Sequence, residues 1–366
     1  MMSPTRNSNH STLTCLGGKQ GGLTLVELMI AMVLGLLLIA GIITILLGTQ
    51  QTNRTQEALS QVQEAGRFAT EALGRDFREG GLGNDALCFA NARSLLDAPP
   101  LADLPGFGPA FFQMRAPFPM PPATFPADLQ NDFETRGAFF WVDRLRGAGT
   151  ALTLQDPPSQ PSAQDPGRRT SLLVDGNASA IPINSVVTVV DARGNCETFR
   201  RNNAGASSLA RDGASNAPPP VAEILVPGPI DVFFPSRTLY FVGRPSADRP
   251  FSLYRQERFG GHPDSGQAPQ AIVEGIFDMA VEYGLVDGAR QVAEYKPAGD
   301  MAAGDWENAA AIRIHILGYS GNENNVVDAP QQNLFFAGAP NGLFNAPDRR
   351  LYQAFTTTIA ARNRLD

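Results

Sequence analysis

Hydrophobic and polar positions change rhythm twice along the chain. From Leu23 to Leu47 nearly every residue is apolar, and the one charge is Glu27. A helix of about 25 such residues is about 37 Å long, enough to cross a hydrocarbon core of about 30 Å. A secretory signal has an apolar stretch of only about 7–15 residues before its cut, so this run is expected to stay as an anchor. Cys15 has no apolar run before it, which argues against a lipoprotein signal. Beyond Leu47 the pattern turns amphipathic. Leu59, Val62, Ala69, Leu73 and Phe77 form one helical stripe with Gly66 on it, while Glu57, Gln61, Glu64 and Arg67 lie off it. Gly80-Gly81 supplies a stop. The pattern predicts one helix from about Thr24 to Arg78, about 80 Å long.

The rhythm then becomes two. Arg237–Val242 and Pro250–Glu257 read as the arms of a hairpin. Phe277, Met279, Val281 and Tyr283 alternate with Asp278 and Glu282, which are expected to face outward. Ile312, Ile314 and Ile316 alternate with Arg313 and His315, the histidine expected to be exposed or at an edge; Phe355–Ala361 gives a last strand. One-sided alternation predicts a sheet with one buried face, and the stripe on the long helix is its natural cover. Between about Cys88 and Pro235 the chain reads as irregular, apart from a strand at Ser185–Asp191. Leu95–Pro126 is rich in Pro and Phe, and Gln155–Arg169 and Asn202–Pro220 are polar loops. The expected class is α+β: a long N-terminal helix, half membrane-spanning and half amphipathic, packed on a C-terminal antiparallel sheet. The segments are 1–22 (leader), 23–47 (membrane helix), 48–79 (amphipathic helix), 80–236 (loop-rich region) and 237–366 (C-terminal sheet region).

Charge narrows the partners. The formal net charge is −7, which argues against nucleic acid. Nearly all cations are arginines, scattered among acids; lysine occurs only at Lys19 and Lys296. The basic residues Arg6 and Lys19 before the apolar run favour a cytoplasmic N-terminus and an outward head. If the chain is cut after Gly22, Cys15 is lost and Cys88 and Cys196 remain. That even pair suits a disulfide in an oxidising compartment; two buried free thiols are the alternative.

Glu27 is an acid inside an apolar run, which is costly in a membrane. A cut between Gly22 and Leu23 would leave a new amino group four residues earlier, on the same helical face. The carboxylate would then neutralise that ammonium, its own or a neighbour's, and set the axial register of an assembly. A tolerated acid near the interface is the other reading of this residue alone. The surrounding letters, Gly21-Gly22-Leu23-Thr24-Leu25-Val26-Glu27-Leu28-Met29, resemble the signal of type IV prepilins and pseudopilins. That resemblance implies cleavage by prepilin peptidase between Gly22 and Leu23 and N-methylation of Leu23. The family most often has Phe where Leu23 stands.

A narrower resemblance covers the other end. Ser252-Leu253-Tyr254-Arg255, Ile272–Met279 with Tyr283-Gly284, Trp306 leading into Ala311–Ile314, Phe355–Ile359 and Arg362-Asn363-Arg364 are similar to the C-terminal region of the PilW family of minor type IV pilins. This implies a type IV pilin-like fold. It also implies a minor subunit that helps to prime a pilus at or near its tip, beside other minor pilins, the major pilin and a large tip protein. Such a protein sits in the inner membrane and then in the pilus. The alternatives are a type II secretion minor pseudopilin and, from another class, a membrane-anchored periplasmic binding or adhesion module. No P-loop, HExxH or GxSxG pattern occurs, and His10, His262 and His315 lack metal-ligand spacing. Neither catalysis nor a cofactor is expected. Asn322–Asn325 with Asp328 is oxygen-rich but lacks the EF-hand pattern, so a solvated loop is expected there.

Overall fold

The computed structural model describes residues 24–79, 88, 90–96, 125–161, 163, 168–211, 216, 222–259, 267–288, 291–302, 304–321 and 324–360. The chain divides into two units, Met1–Arg54 and Thr55–Asp366. In the first, the described residues are the leading part of helix α1 (Leu25–Glu79). The remainder of α1 belongs to the second unit together with every strand among the described residues.

The second unit contains a ten-stranded sheet and a four-stranded sheet among the described residues. The smaller sheet has the order β12-β11-β13-β16, from β11 (Ile276–Val286), β12 (Val292–Pro297), β13 (Ala309–Tyr319) and β16 (Tyr352–Ala360). All its pairings are antiparallel. The larger sheet is organised by β8 (Gly228–Arg244), whose length lets it pair with β2 (Glu134–Gly147), β3 (Leu152–Pro161), β5 (Val186–Asp191) and β9 (Ser252–Phe259). The β8–β9 pairing is the expected hairpin, running from Ser236 opposite Phe259 to Gly243 opposite Ser252. The remaining strands are β1 (Asn91–Ser94), β4 (Arg169–Gly176), β6 (Asn195–Arg200), β7 (Ser208–Ala210) and β10 (Gln270–Glu274). A two-stranded piece, β14 (Leu334–Phe335) with β15 (Leu343–Phe344), lies between β13 and β16 in sequence.

The stripe on α1 does meet the C-terminal strands. Ala69, Leu73 and Phe77 share one core with Phe140, Tyr240 and Val242 of the larger sheet and with Ile276, Met279, Ile312, Ile314 and Ile316 of the smaller one. Burying the larger of these, Leu73, Phe77, Met279 and the isoleucines, stabilises by about 1.5–3 kcal/mol each. Where the helix crosses the smaller sheet, a Cβ at Gly66 would overlap the Phe355 ring. Asp76, at the far end of the stripe, accepts a hydrogen bond from the Tyr240 hydroxyl. The membership of the stripe differs at one position: Ala58 is buried and Leu59 is 38 % exposed. Spacings of four and four, Ala58-Val62-Gly66, follow the packed face better than a start at Leu59.

Three further expectations are corrected. Among the described residues the middle of the chain holds more strands than Ser185–Asp191: β3 to β8 enclose a second core of Leu152, Leu172, Val187, Val189, Phe199, Leu209 and Val232. Beside it Arg211 and Glu197 are fully buried as an ion pair, with Glu223 and Arg93 completing the network. Burial depresses the Arg211 guanidinium, but the Glu197 and Glu223 charges more than reverse it, leaving its proton held more tightly than usual. The limit at 236 falls within β8, a continuous strand across that position. His315 is not exposed. It lies on β13, an inner strand, and only 6 % of it is exposed. Its Nδ1 meets Thr356 Oγ1 at 2.9 Å and its Nε2 meets Glu282 Oε2 at 3.0 Å. The face it shares with Ala280 is covered by the segment carrying Phe336 and Gly338, so strand alternation there separates two packed faces.

Asp278 is the third. The register of β2 against β8 breaks between Arg136 and Phe140, and the released residues approach β11. Gly137 adopts φ +63°, and a Cβ there would overlap both Asp278 Oδ1 and the Met279 carbonyl. Only glycine fits this turn and this approach. Under that cover the Asp278 carboxyl is pushed up to about 6 by burial, against the Met279 N–H bond and the Arg136 charge, which both lower it.

Candidate assembly site

Two features set this chain apart from an ordinary globular fold: the uncovered part of α1, and a disulfide formed by a cysteine shortly after the helix in sequence.

The uncovered part begins at Thr24, the first described residue, so Gly22 and Leu23 lie outside the described residues. Glu27 is in the first turn of α1. Its backbone N–H donates to Thr24 Oγ1 at 3.3 Å, and the Leu28 N–H donates to the Thr24 carbonyl at 3.1 Å. Thr24 therefore serves as a helix cap, a role the residue-by-residue reading missed. The signal was present: Thr24-Leu25-Val26-Glu27 has the T-x-x-E spacing of a capping box. An acid in the first turn also complements the helix dipole.

From Leu25 to Leu47 the helix presents apolar side chains on every side. Leu25 is 76 % exposed, Ile45 72 % and Leu38 70 %. A Cβ at Gly35, Gly41 or Gly48 would meet nothing within 4 Å. The threonine hydroxyls here bond to the helix itself, Thr44 and, just beyond the stretch, Thr49 donating to the Ala40 and Ile45 carbonyls at 2.9 Å. By length and composition the helix is able to cross a membrane. Continuous apolar exposure on this scale marks a surface meant for lipid or for other helices.

Nine residues past α1 in sequence, Cys88 is bonded to Cys196 on β6. Both are buried, beside Val190 and Phe233. The bond ties the chain that leaves the helix to the larger sheet. Next to it Asp191 Oδ1 accepts from the Arg193 and Asn195 N–H groups at 2.8 and 2.9 Å. Burial raises the Asp191 carboxyl, but the Asn195 side chain and three backbone N–H groups outweigh it and hold the carboxyl below its ordinary range. Among the described residues no cluster of His, Cys, Asp and Glu is arranged to hold a metal ion. Of the oxygen-rich loop, Asn322 and Glu323 lie outside the described residues. The Asn324 carboxamide is occupied by the N–H groups of Asn325 and Arg349.

An N-terminal helix whose first part is bare and apolar, and whose continuation is the backing of an antiparallel sheet, defines an α+β architecture of the pilin kind. The comparisons agree at both ends of the chain. Residues 17–43 match the prokaryotic N-terminal methylation motif, and residues 239–363 match the type IV pilus-assembly protein W (PilW) family model. No curated protein and no solved structure matches the chain. The chain is thus a PilW-like protein with a prepilin-type signal, of the structural kind associated with type IV pili.

Proposed function

We propose that this protein is a minor pilin that helps to prime assembly of a type IV pilus and sits at or near its tip. Prepilin peptidase cuts it after Gly22 and Leu23 is N-methylated. Until assembly it rests in the inner membrane as a single pass, with its N-terminus cytoplasmic and its head periplasmic. In the pilus it stands beside other minor pilins, the major pilin and a large tip protein. The observation that carries this reading is the joint presence of a methylation motif over 17–43 and a PilW-type region over 239–363 on one chain, the first of them falling on the uncovered apolar helix. The Cys88–Cys196 bond fits a head that folds in an oxidising compartment.

The test is intact mass and N-terminal sequence of the protein from its native membrane. A mature chain that begins at Leu23 and carries one methyl group is expected. A chain that retains its leader, or is cut elsewhere, leaves an anchored extracytoplasmic domain and removes the pilin reading.

A further inference from the structure

A sheet edge is a row of unpaired backbone groups, and proteins blunt such rows with short strands, charges, prolines or bulges. The described edges of this molecule follow that practice with one exception. β1 and β7 are 4 and 3 residues long. β10 and β12 each carry a register break, and β12 adds Lys296 and Pro297. β2 is long, but it is broken between Arg136 and Phe140 and carries Glu134, Arg136, Asp143, Arg144 and Arg146. β16 is 9 residues long, pairs with β13 without a break, and contains neither a charge nor a proline.

Its open groups can be assigned. The Ser320 N–H donates to the Leu351 carbonyl at 3.0 Å, so Leu351 faces β13. The Tyr352 N–H turns the other way and is taken up by Gln331 Oε1 at 2.6 Å. Antiparallel pairing alternates, so Ala354, Thr356, Thr358 and Ala360 also direct their N–H and C=O groups away from β13. Thr356, Thr358 and Ala360 are exposed, and among the described residues nothing binds their outward backbone groups.

We infer that the outer edge of β16 is a docking edge for an extended, uncharged strand of a different filament subunit. This rests on the pilin reading above. The chemistry of the guest follows from the two faces of β16. On the α1 side stand Phe355, whose ring lies on Gly66, and buried Ile359; there the guest presents apolar side chains that extend the core. On the other side stand Thr356 and Thr358, and there it presents small or hydroxyl side chains that form cross-strand pairs. A charge on the α1-side positions would be desolvated beside Phe355 and Ile359 with no partner. Backbone bonds give the affinity and the alternation gives the choice of partner.

The experiment replaces Thr358 with the photo-cross-linker p-benzoylphenylalanine in the full chain, in cells that make the filament. Cross-linking is read by peptide mapping in membranes and in sheared filaments. The expected product joins Thr358 to an uncharged strand of another subunit, with alternating apolar and small residues. In the chain without the cross-linker, Thr358→Pro removes one outward N–H and leaves the bonds to β13 in place; it is expected to lower co-purification of the identified partner about tenfold. Thr358→Val keeps the backbone donor and is expected to match the wild type. Melting temperature and the Cys88–Cys196 bond report folding of each variant. A cross-link to lipid, to a second copy of this chain or to a charged segment overturns the inference, as does no cross-link from folded protein. Leader removal is scored on the same samples. A processed protein without the strand cross-link refutes the docking edge alone, whereas an unprocessed one refutes the pilin reading.

Discussion

Asp278 loses much of its solvent to the bulge of β2, and burial pushes its carboxyl up to about 6. The unfolded value is near 4. As pH rises from about 4 to 6 the unfolded chain gives up a proton that the folded chain keeps, so stability falls across that window and levels off above it. At neutral pH the ionised carboxyl costs the fold on the order of 2–3 kcal/mol. Asp278→Asn keeps an oxygen for the Met279 N–H, at 2.7 Å in the native chain, and removes the charge. Thermal unfolding at pH 7.5 is expected to show the variant more stable by about that amount, and at pH 4 to show little difference. A variant less stable at pH 7.5 would mean that the ionised group is held favourably by Arg136. Neither Asp278 nor His315 could be placed from the sequence. Alternation says which face of a strand a residue occupies; here both faces of β11 and β13 are covered, one by α1 and one by segments distant in sequence.

At the level of elements, α1 was the most legible part, because an apolar run followed by an unbroken helical stripe without proline permits few other structures. What the stripe could not tell was why a glycine lies on it. Gly66 is a poor helix former, worth about 1 kcal/mol less than alanine, yet it gives the Phe355 ring the room to lie against the helix backbone. The ring also approaches Gly318, where a Cβ would come within 3.2 Å of it. Gly66→Ala therefore sets a small gain in propensity against overpacking, which typically costs about 1–3 kcal/mol. The expected outcome is a lower melting temperature in the native background and a higher one in a Phe355→Ala background. Such a reversal is the signature of a direct contact in a double-mutant cycle. If Gly66→Ala acts alike in both backgrounds, the glycine is not there for Phe355. The β8–β9 hairpin and the strands at 277–283, 312–316 and 355–360 were legible for the same reason as α1, a clean period. β3, β4, β6 and β7 were hidden by prolines, polar residues and buried ion pairs such as Arg211–Glu197, which disguise core strands as loops.

For the molecule as a whole, the question is what the bare helix does with its one acid. Two physical roles compete for Glu27. Its backbone N–H closes the first turn on Thr24 Oγ1. In the T-x-x-E spacing a Glu or Gln side chain at this position reaches back toward the N–H of the cap residue, a local role open to either residue. Under the proposed processing it also carries a negative charge one turn from the new amino group of Leu23, a role glutamine cannot fill. An ammonium and a carboxylate in an apolar surround each need a partner, and a subunit that joins a filament brings both. Glu27→Ala removes both the capping-box side chain and the charge, and Glu27→Gln removes the charge alone; the bond from the backbone N–H to Thr24 survives in both. If the charge sets the register, both variants are cleaved after Gly22 yet enter sheared filaments at about one tenth of the native level or less, a loss equivalent to one ion pair in a low dielectric. If the capping-box side chain is what matters, Glu27→Gln assembles normally and only Glu27→Ala fails. Quantifying both variants in filament and membrane fractions separates the two roles, because the one substitution that spares the helix leaves the charge as the only thing missing.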